Sequence, residues 1–286
     1  MSKKFTVIAD SCCDLFGRDL TSDKIDFHVV PLTLILGNEE FIDDDNFETA
    51  PFVAKMNASK TCAKSACPSP EAFAEIMRGG DNIIIVTLSS KLSGTHASAM
   101  TAAEAIKAEF PNKKLFVLDS LSAAAGLDHL LMKLKELIEC GEYGFDEVTV
   151  KLTEHRARTK VRFLLYDLGN LAKNGRLNKM LERILSTAKI RLICGDDGAG
   201  EIKKHGMALG IRKGLQALSE FPARDMGQNS QNEPITLTHV HNEQDASFIK
   251  GLLESKFGFK NIKMRLMRGI SSLYAADKGI VIAYTV

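Results

Sequence analysis

Residues 82–96 read NIIIVTLSSKLSGTH. Their first part is dominated by β-branched residues without alternation, which is typical of a strand buried on both faces of a sheet. A hydroxyl-rich turn, Ser89–Gly94, follows the strand, and the Ala-rich segment Gly94–Phe110 then predicts a helix that ends before Pro111. A buried strand that leads into a helix in this way indicates a parallel sheet covered by helices.

The same alternation continues on both sides of this stretch. Strands are predicted at Phe5–Ala9 and Lys114–Leu118, and helices at Ser122–Cys140 and Phe145–Arg158. The second half predicts helices and strands with at least one antiparallel hairpin. We therefore predict an α/β protein of two α/β domains. Residues 1–155 would form a three-layer domain with a mostly parallel sheet, and residues 156–286 a domain with a mixed sheet, the boundary being approximate.

Other segments of the second half carry weaker patterns. Helices are predicted at Asn178–Ser186 and Ala208–Glu220, and the polar stretch Pro222–Pro234 predicts a surface loop. The acidic run Asp43–Asp45 predicts an exposed turn, with a metal site as the alternative. His239 and His241 share one face of a strand, but two histidines alone make a weak metal site.

Composition excludes several classes of function. The chain has 286 residues and a formal net charge of +1, which argues against a strong grip on nucleic acid. No apolar run reaches the ~18 residues of a membrane span, so we predict no stable membrane anchor. The first apolar stretch is short and stops at Asp10, unlike a signal peptide, which predicts a cytoplasmic protein. The six cysteines form no CxxC pair and predict neither a disulfide scaffold nor a zinc site.

Three hydroxyl-rich turns follow predicted strands. Asp10–Asp14, Ser89–Gly94 and Asp119–Ser122 should meet at one edge of the sheet, where open α/β sheets bind ligands. The helix beginning near Gly94 would present unpaired N–H groups to an anion, and the hydroxyls of Ser93 and Thr95 could donate to it. The alternative is that Ser93 only caps the helix.

A catalytic role is the second hypothesis. Ser93 or a cysteine would be the nucleophile of a hydrolase or acyl transferase, with His96 nearby in sequence. No GxSxG elbow is present, and His96 would point away from Ser93 on the helix without a third group to orient it. These patterns favour binding over catalysis.

Several motifs in order along nearly the whole chain resemble the DegV family. The chain is similar to that family in an opening Asp-Ser-x-Cys-Asp-Leu motif, a Val-x-Pro-Leu segment, a Pro-containing hydroxyl loop, a Ser-Ser-x-Leu-Ser-Gly-Thr motif, an Asp-Ser motif and a Gly-Arg segment. These correspond to Asp10–Leu15, Val29–Leu32, Ser65–Pro70, Ser89–Thr95, Asp119–Gly126 and Leu168–Arg176.

The resemblance implies a bacterial protein that holds a long-chain fatty acid between its two domains without catalysing a reaction or using a cofactor. By this resemblance Ser93 and Ser65 would hold the carboxylate by their hydroxyls, and Arg176 would support them. Gly94 and Thr95 would shape the anion end. The protein would act as a lipid carrier or a lipid sensor.

The resemblance also implies a partner, since related members present the acyl carboxylate to a separate fatty acid kinase. Two residues linked with that partnership are absent here. Leu209 stands where the family often has an arginine, and the segment Gly269–Gly279, which includes Ala275, lacks the family's histidine. These departures argue against kinase partnership while leaving binding intact.

Overall fold

A computed structural model describes residues 4–177, 190–227 and 230–286. The helix predicted at Asn178–Ser186 lies outside the described residues. In the part that is described, no helix is both long enough and apolar enough to cross a membrane.

The N-terminal half is built on a four-stranded parallel sheet. Its strands are β1 (Phe5–Asp10), β2 (Ile25–Val30), β6 (Asn82–Thr87) and β7 (Lys114–Asp119), in the order β2-β1-β6-β7. The helices of this half are α1 (Gly17–Leu20), α2 (Thr49–Ala58), α3 (Pro70–Gly79), α4 (Thr95–Glu109), α5 (Ala125–Glu139) and α6 (Phe145–Arg158).

Helices cover both faces of the buried strand β6. Ile83 and Ile85 belong to the apolar cluster that includes side chains of α3 and α4. Ile84 and Val86 belong to the cluster that includes α5 and α6. Because both faces of the strand are covered, its four central positions all carry apolar side chains. The prediction of a parallel sheet between helical layers is confirmed.

A second, small sheet was not predicted. Strands β3 (Thr33–Leu36), β4 (Glu39–Ile42) and β5 (Lys64–Ala66) pair antiparallel in the order β4-β3-β5. Ser65, predicted to lie in a loop, therefore lies in a strand opposite Leu34. This pairing determines where the Ser65 hydroxyl points, which a loop would not do.

The C-terminal half contains a six-stranded mixed sheet, as predicted. Its strands are β8 (Thr159–Leu164), β9 (Ile190–Asp196), β10 (Ile202–Leu209), β11 (Ile235–His239), β12 (Ile262–Leu266) and β13 (Ile280–Thr285). The order is β10-β9-β8-β13-β11-β12, with only β11 and β12 parallel. The described helices of this half are α7 (Gly169–Lys173), α8 (Ile211–Met226), α9 (Glu243–Ser255) and α10 (Gly269–Ala275).

Two predictions near residue 210 were wrong. The predicted helix start at Ala208 lies in β10, and α8 continues through Pro222 into the segment predicted to be a loop. Leu215, Leu218 and Phe221 recur at helical spacing and are buried in one cluster beneath the sheet. This packing stabilises α8 although Pro222 lacks the N–H group needed for one backbone hydrogen bond of the helix.

The acidic run at residues 43–45 was also predicted wrongly in part. Asp44 and Asp45 are exposed, but Asp43 is completely buried. Its carboxylate accepts hydrogen bonds from Gly269 N (3.1 Å) and Ile270 N (2.9 Å) at the start of α10. Asp43 therefore stabilises a distant helix terminus, where a negative charge is favoured.

A buried histidine joins α5 to the C-terminal sheet. His129 Nδ1 lies 3.1 Å from Thr236 Oγ1, and its Nε2 lies 2.9 Å from Thr285 Oγ1. Burial lowers the pKa of His129 from 6.5 to about 3. The division into two domains near residue 155 stays a prediction, and His129 is one of the contacts that would cross it.

We expect His129 to make the fold sensitive to acid. Below its ordinary pKa of 6.5 the histidine takes up a proton in the unfolded chain but stays neutral in the folded one. His129 by itself should then lower the free energy of unfolding by up to about 1.4 kcal/mol per pH unit as the pH drops from about 6 to 4. The stacked His155, whose pKa burial lowers to about 4, should add to this slope. His129→Gln, which keeps partners for both threonine hydroxyls, should reduce this slope in urea titrations.

The control is Ser90→Gln in the turn after β6, since Ser90 is exposed and neither residue is titratable. It should leave the slope unchanged. Identical pH slopes for the wild type and His129→Gln would contradict the assignment to His129.

Candidate functional site

A mainly apolar cavity lies between the two large sheets. It contains about 890 Å³ of space between atoms, counted out to its open mouth. Leu88 and Leu92 line it from the segment after β6, and Val161, Phe163 and Val281 line it from β8 and β13. Ligand-binding cavities of proteins typically combine such an apolar wall with a few polar groups.

Ser93 lies on this wall at the end of a tight turn. After β6, the backbone N–H groups of Leu92 and Ser93 both donate to Ser89 O, at 3.0 and 3.1 Å. The Ser89 hydroxyl donates to Gly200 O at 2.8 Å, which joins the turn to the C-terminal half. The Ser93 hydroxyl is thereby held beside the cavity at the start of α4.

The helix α4 begins at Thr95, with Gly94 in the N-cap position. Ser93 therefore precedes the cap. Its Oγ accepts weakly from Thr95 N (3.3 Å) and lies 2.9 Å from Thr95 Oγ1. Ser93 thus supports the helix start and still lines the cavity, so the two interpretations of this residue are compatible.

The three turns predicted to meet do meet, and hydrogen bonds join them. Asp10 Oδ2 accepts from Leu88 N at 2.7 Å, and Asp119 Oδ1 accepts from Ser90 N at 3.1 Å. Burial raises the pKa of Asp10 to about 7. These two carboxylates bind backbone N–H groups, so they support the turns rather than offering charge to a ligand.

A second hydroxyl group faces the cavity opposite this turn. Ser65 Oγ lies 2.9 Å from the hydroxyl of Tyr274, and both residues line the cavity. Tyr274 belongs to α10 and lies 209 positions after Ser65 in the sequence. Sequence reasoning missed Tyr274, because no local pattern around it marks a site.

Arg176 reaches the same region from the turn after α7. Gly175 adopts a left-handed conformation (φ +70°), and Arg176 N donates to Leu171 O at 2.8 Å, a common way to end a helix. The Arg176 Nε then donates to Leu92 O at 3.1 Å. Its guanidinium carbon lies 5.9 Å from the centre of the Tyr274 ring.

The structure places the predicted site residues in two groups. Ser65, Ser93 and Arg176 line the cavity together with Tyr274. Thr95 is buried behind Ser93, and Gly94 is exposed beside Cys67, so neither lines it. We call Ser65, Ser93, Arg176 and Tyr274 the polar cluster of the cavity. Three hydroxyls and one cation make it suited to an anion.

The histidine and the cysteine nearest to the cavity are not arranged for nucleophilic catalysis. His96 Nδ1 lies 3.0 Å from Thr87 Oγ1, so the ring is engaged away from Ser93. Cys12 lines the cavity, but burial raises the pKa of its thiol well above the ordinary value. A buried thiol of raised pKa is a poor nucleophile.

Metal binding finds no support in the residues that the structure describes. Over these ranges, no group of three or more His, Cys, Asp or Glu side chains is arranged to hold an ion. His239 instead accepts a hydrogen bond at its Nδ1 from Asn242 N, at 3.2 Å.

Comparison with known sequences yields one family over almost the whole chain. The profile of the DegV family, described as a family of uncharacterised proteins, matches residues 4–285. A DegV domain-containing protein of Streptococcus gordonii is 34% identical over 281 residues, covering 98% of this chain and 98% of the relative.

Solved structures extend the similarity to the fold. The Fatty Acid Kinase (Fak) B3 protein of Streptococcus pneumoniae, loaded with linoleic acid, is 30% identical, with a TM-score of 0.92 over 99% of each chain. A DegV family protein of Eubacterium eligens, loaded with heptadecanoic acid, is 28% identical, with a TM-score of 0.89 over 99% of each chain.

Proposed function

The chain belongs to the DegV family, and from this premise we propose that it binds one long-chain fatty acid. The acyl chain would occupy the cavity between the two sheets, and the carboxylate would face the polar cluster. The observation that carries the proposal is the apolar cavity with Ser65, Ser93, Arg176 and Tyr274 on its wall. Relatives of the same fold have been crystallised with fatty acids.

The energetics suit this ligand. Each CH₂ buried in an apolar cavity contributes about 0.8 kcal/mol, so the acyl chain supplies most of the affinity. The carboxylate must leave water, and its desolvation is offset only where donors replace the lost hydrogen bonds. The hydroxyls of Ser93 and Ser65 are the proposed donors, and Arg176 orients them while supplying positive charge. Thr95 and Gly94 act indirectly, by placing Ser93.

We propose a non-catalytic carrier or sensor. Holding a carboxylate needs donors but no general base, and His96 is engaged by Thr87. The hydrolase alternative would need Ser93 to be activated. The six cysteines are all free, which suits the reducing cytoplasm.

A separate question is whether this chain presents its fatty acid to a fatty acid kinase. A structurally similar protein carries the name of a fatty acid kinase component. In this chain Leu209 is 66% exposed, and an exposed leucine cannot make the ion pair that an arginine would make. Ala275 lines the cavity and offers no hydrogen bond. We therefore propose a sensor that retains its lipid, and stable capture of a purified fatty acid kinase would contradict that choice.

The direct test uses Ser93→Ala. Delipidated protein should take up oleic acid with a stoichiometry of one, and Ser93→Ala should weaken binding about 10- to 100-fold, the loss expected for a hydrogen bond to a charged group. Titration calorimetry measures both quantities.

The matched control is Ser90→Ala, because Ser90 is exposed in the same turn. It should bind like the wild type, and thermal melts should show that both variants are folded. If the wild type takes up no fatty acid, the proposed function is rejected. If Ser93→Ala binds fatty acid as tightly as the wild type, the role of Ser93 is rejected.

A further inference from the structure

A second cleft lies behind the wall of the lipid cavity. It contains about 550 Å³ of space, counted out to its mouth, and lies between the turn Ser120–Ser122, the last turn of α6 and the start of β8. It shares Leu121, Ser122, Val161 and Asp196 with the lipid cavity, but no residue of the polar cluster lines it. The proposed fatty acid site therefore does not account for it.

The cleft carries uncompensated positive charge. Arg156 and Lys160 both line it, and neither forms an ion pair with any residue that the structure describes. Asp196 also lines it, but its carboxylate is already bound by Arg162 Nη1 (2.9 Å), Val161 N (2.7 Å) and Gly198 N (3.1 Å). Two cations therefore face the cleft without a matching anion.

Two buried polar atoms at the cleft have no hydrogen-bond partner among the described residues. They are the Ser122 hydroxyl oxygen and Arg156 Nε. Ser122 is only 7% exposed. Because an unpaired buried polar group is costly, such atoms in native proteins usually meet a water, an ion or a ligand.

The Ser122 hydroxyl lies very close to the backbone of Gly126. A Cβ atom on Gly126 would lie 1.7 Å from Ser122 Oγ, so the hydroxyl occupies the space of a missing side chain. Gly126 is the second residue of α5, a helix of 15 residues. The Ser122 hydroxyl thus lies beside the first turn of α5, although no residue of α5 lines the cleft.

We propose that this cleft binds a phosphate group. Phosphate offers several acceptor oxygens and more than one negative charge, which suits two cations and a hydroxyl donor together. Arg156 supplies a planar set of donors, and Lys160 supplies a point charge. The Ser120 hydroxyl takes no part, because it already donates to Ser122 O at 3.2 Å.

The test is calorimetric titration of the full chain with inorganic phosphate at an ionic strength of about 0.15 M, where weak surface attraction is screened. We expect saturable binding with a Kd below about 1 mM. Arg156→Met and Lys160→Met should each weaken it about tenfold or more, since each removes a charged donor. A parallel titration with glycerol 3-phosphate identifies the source, because tighter binding of the ester means that the phosphate belongs to a larger molecule.

The matched control is Arg158→Met. Arg158 is exposed and donates to Val286 O, so it lies outside the cleft. It should bind phosphate within about twofold of the wild type, as expected for one screened surface charge. All three variants should still take up oleic acid, which separates this site from the fatty acid site. Phosphate binding that is absent, or that falls equally in Arg158→Met, would overturn the proposal.

Discussion

Replacing Val281 by phenylalanine should abolish fatty acid binding. Val281 lies on the central strand β13, is 7% exposed and lines the cavity. An aromatic ring there would occupy space that the acyl chain needs. Displacing only four methylenes would cost about 3 kcal/mol, which is more than about 100-fold in affinity. The purified variant should carry no lipid by mass spectrometry of its organic extract.

The fold should tolerate this change. Aromatic side chains are favoured in strands, and the added volume enters the cavity rather than the packed core, so overpacking strain of about 1–3 kcal/mol is an upper bound. Val150→Phe is the control, because Val150 is 57% exposed on α6. It should bind oleic acid normally. Oleic acid should raise the Tm of the wild type and of Val150→Phe, but not that of Val281→Phe. Normal lipid content in Val281→Phe would refute the placement of the acyl chain.

The second large effect is expected at Arg162, which binds two acidic side chains at the edge of the C-terminal core. Its Nη1 lies 2.9 Å from Asp196 Oδ2, and its Nη2 lies 3.6 Å from Asp225 Oδ2. All three side chains are largely buried, with exposed fractions of 7%, 11% and 18%. Arg162→Met leaves the buried Asp196 without its cation, while Asp225 keeps Arg224, whose Nε lies 3.0 Å from Asp225 Oδ1. Because Asp196 is then a buried, unpaired charge, the free energy of unfolding should fall by about 3–5 kcal/mol.

Urea denaturation of Arg162→Met measures this loss. The control is Arg78→Met, which breaks an exposed ion pair with Glu71 and should leave stability nearly unchanged. Adding Asp196→Asn to Arg162→Met should restore part of the stability, because the uncompensated charge is then removed. A single variant as stable as the wild type would mean that water or another cation already compensates this carboxylate.

The polar cluster shows how far sequence reasoning reaches toward a site. Ser93 lies in the short turn between β6 and α4, so its location beside the sheet edge follows from the chain around it. Arg176 follows the Asn174-Gly175 turn in the same way. Ser65 and Tyr274 are different, because their contact depends on where a small sheet and α10 pack. Only the resemblance to a known family suggested Ser65 and a role for Arg176, and nothing suggested Tyr274.

By itself the sequence determined the strands and helices of the parallel sheet, the mixed sheet of the second half, the hydroxyl turn before α4 and the membership of a family. These follow from hydrophobic periodicity and turn chemistry, which act between residues close in the chain. Only the tertiary structure decided the burial of Asp43, the continuation of α8 through Pro222, the cavity and the cleft beside it. Each of these is decided by contacts between distant segments, and an apolar side chain that lines a cavity has the same local pattern as one that fills a core.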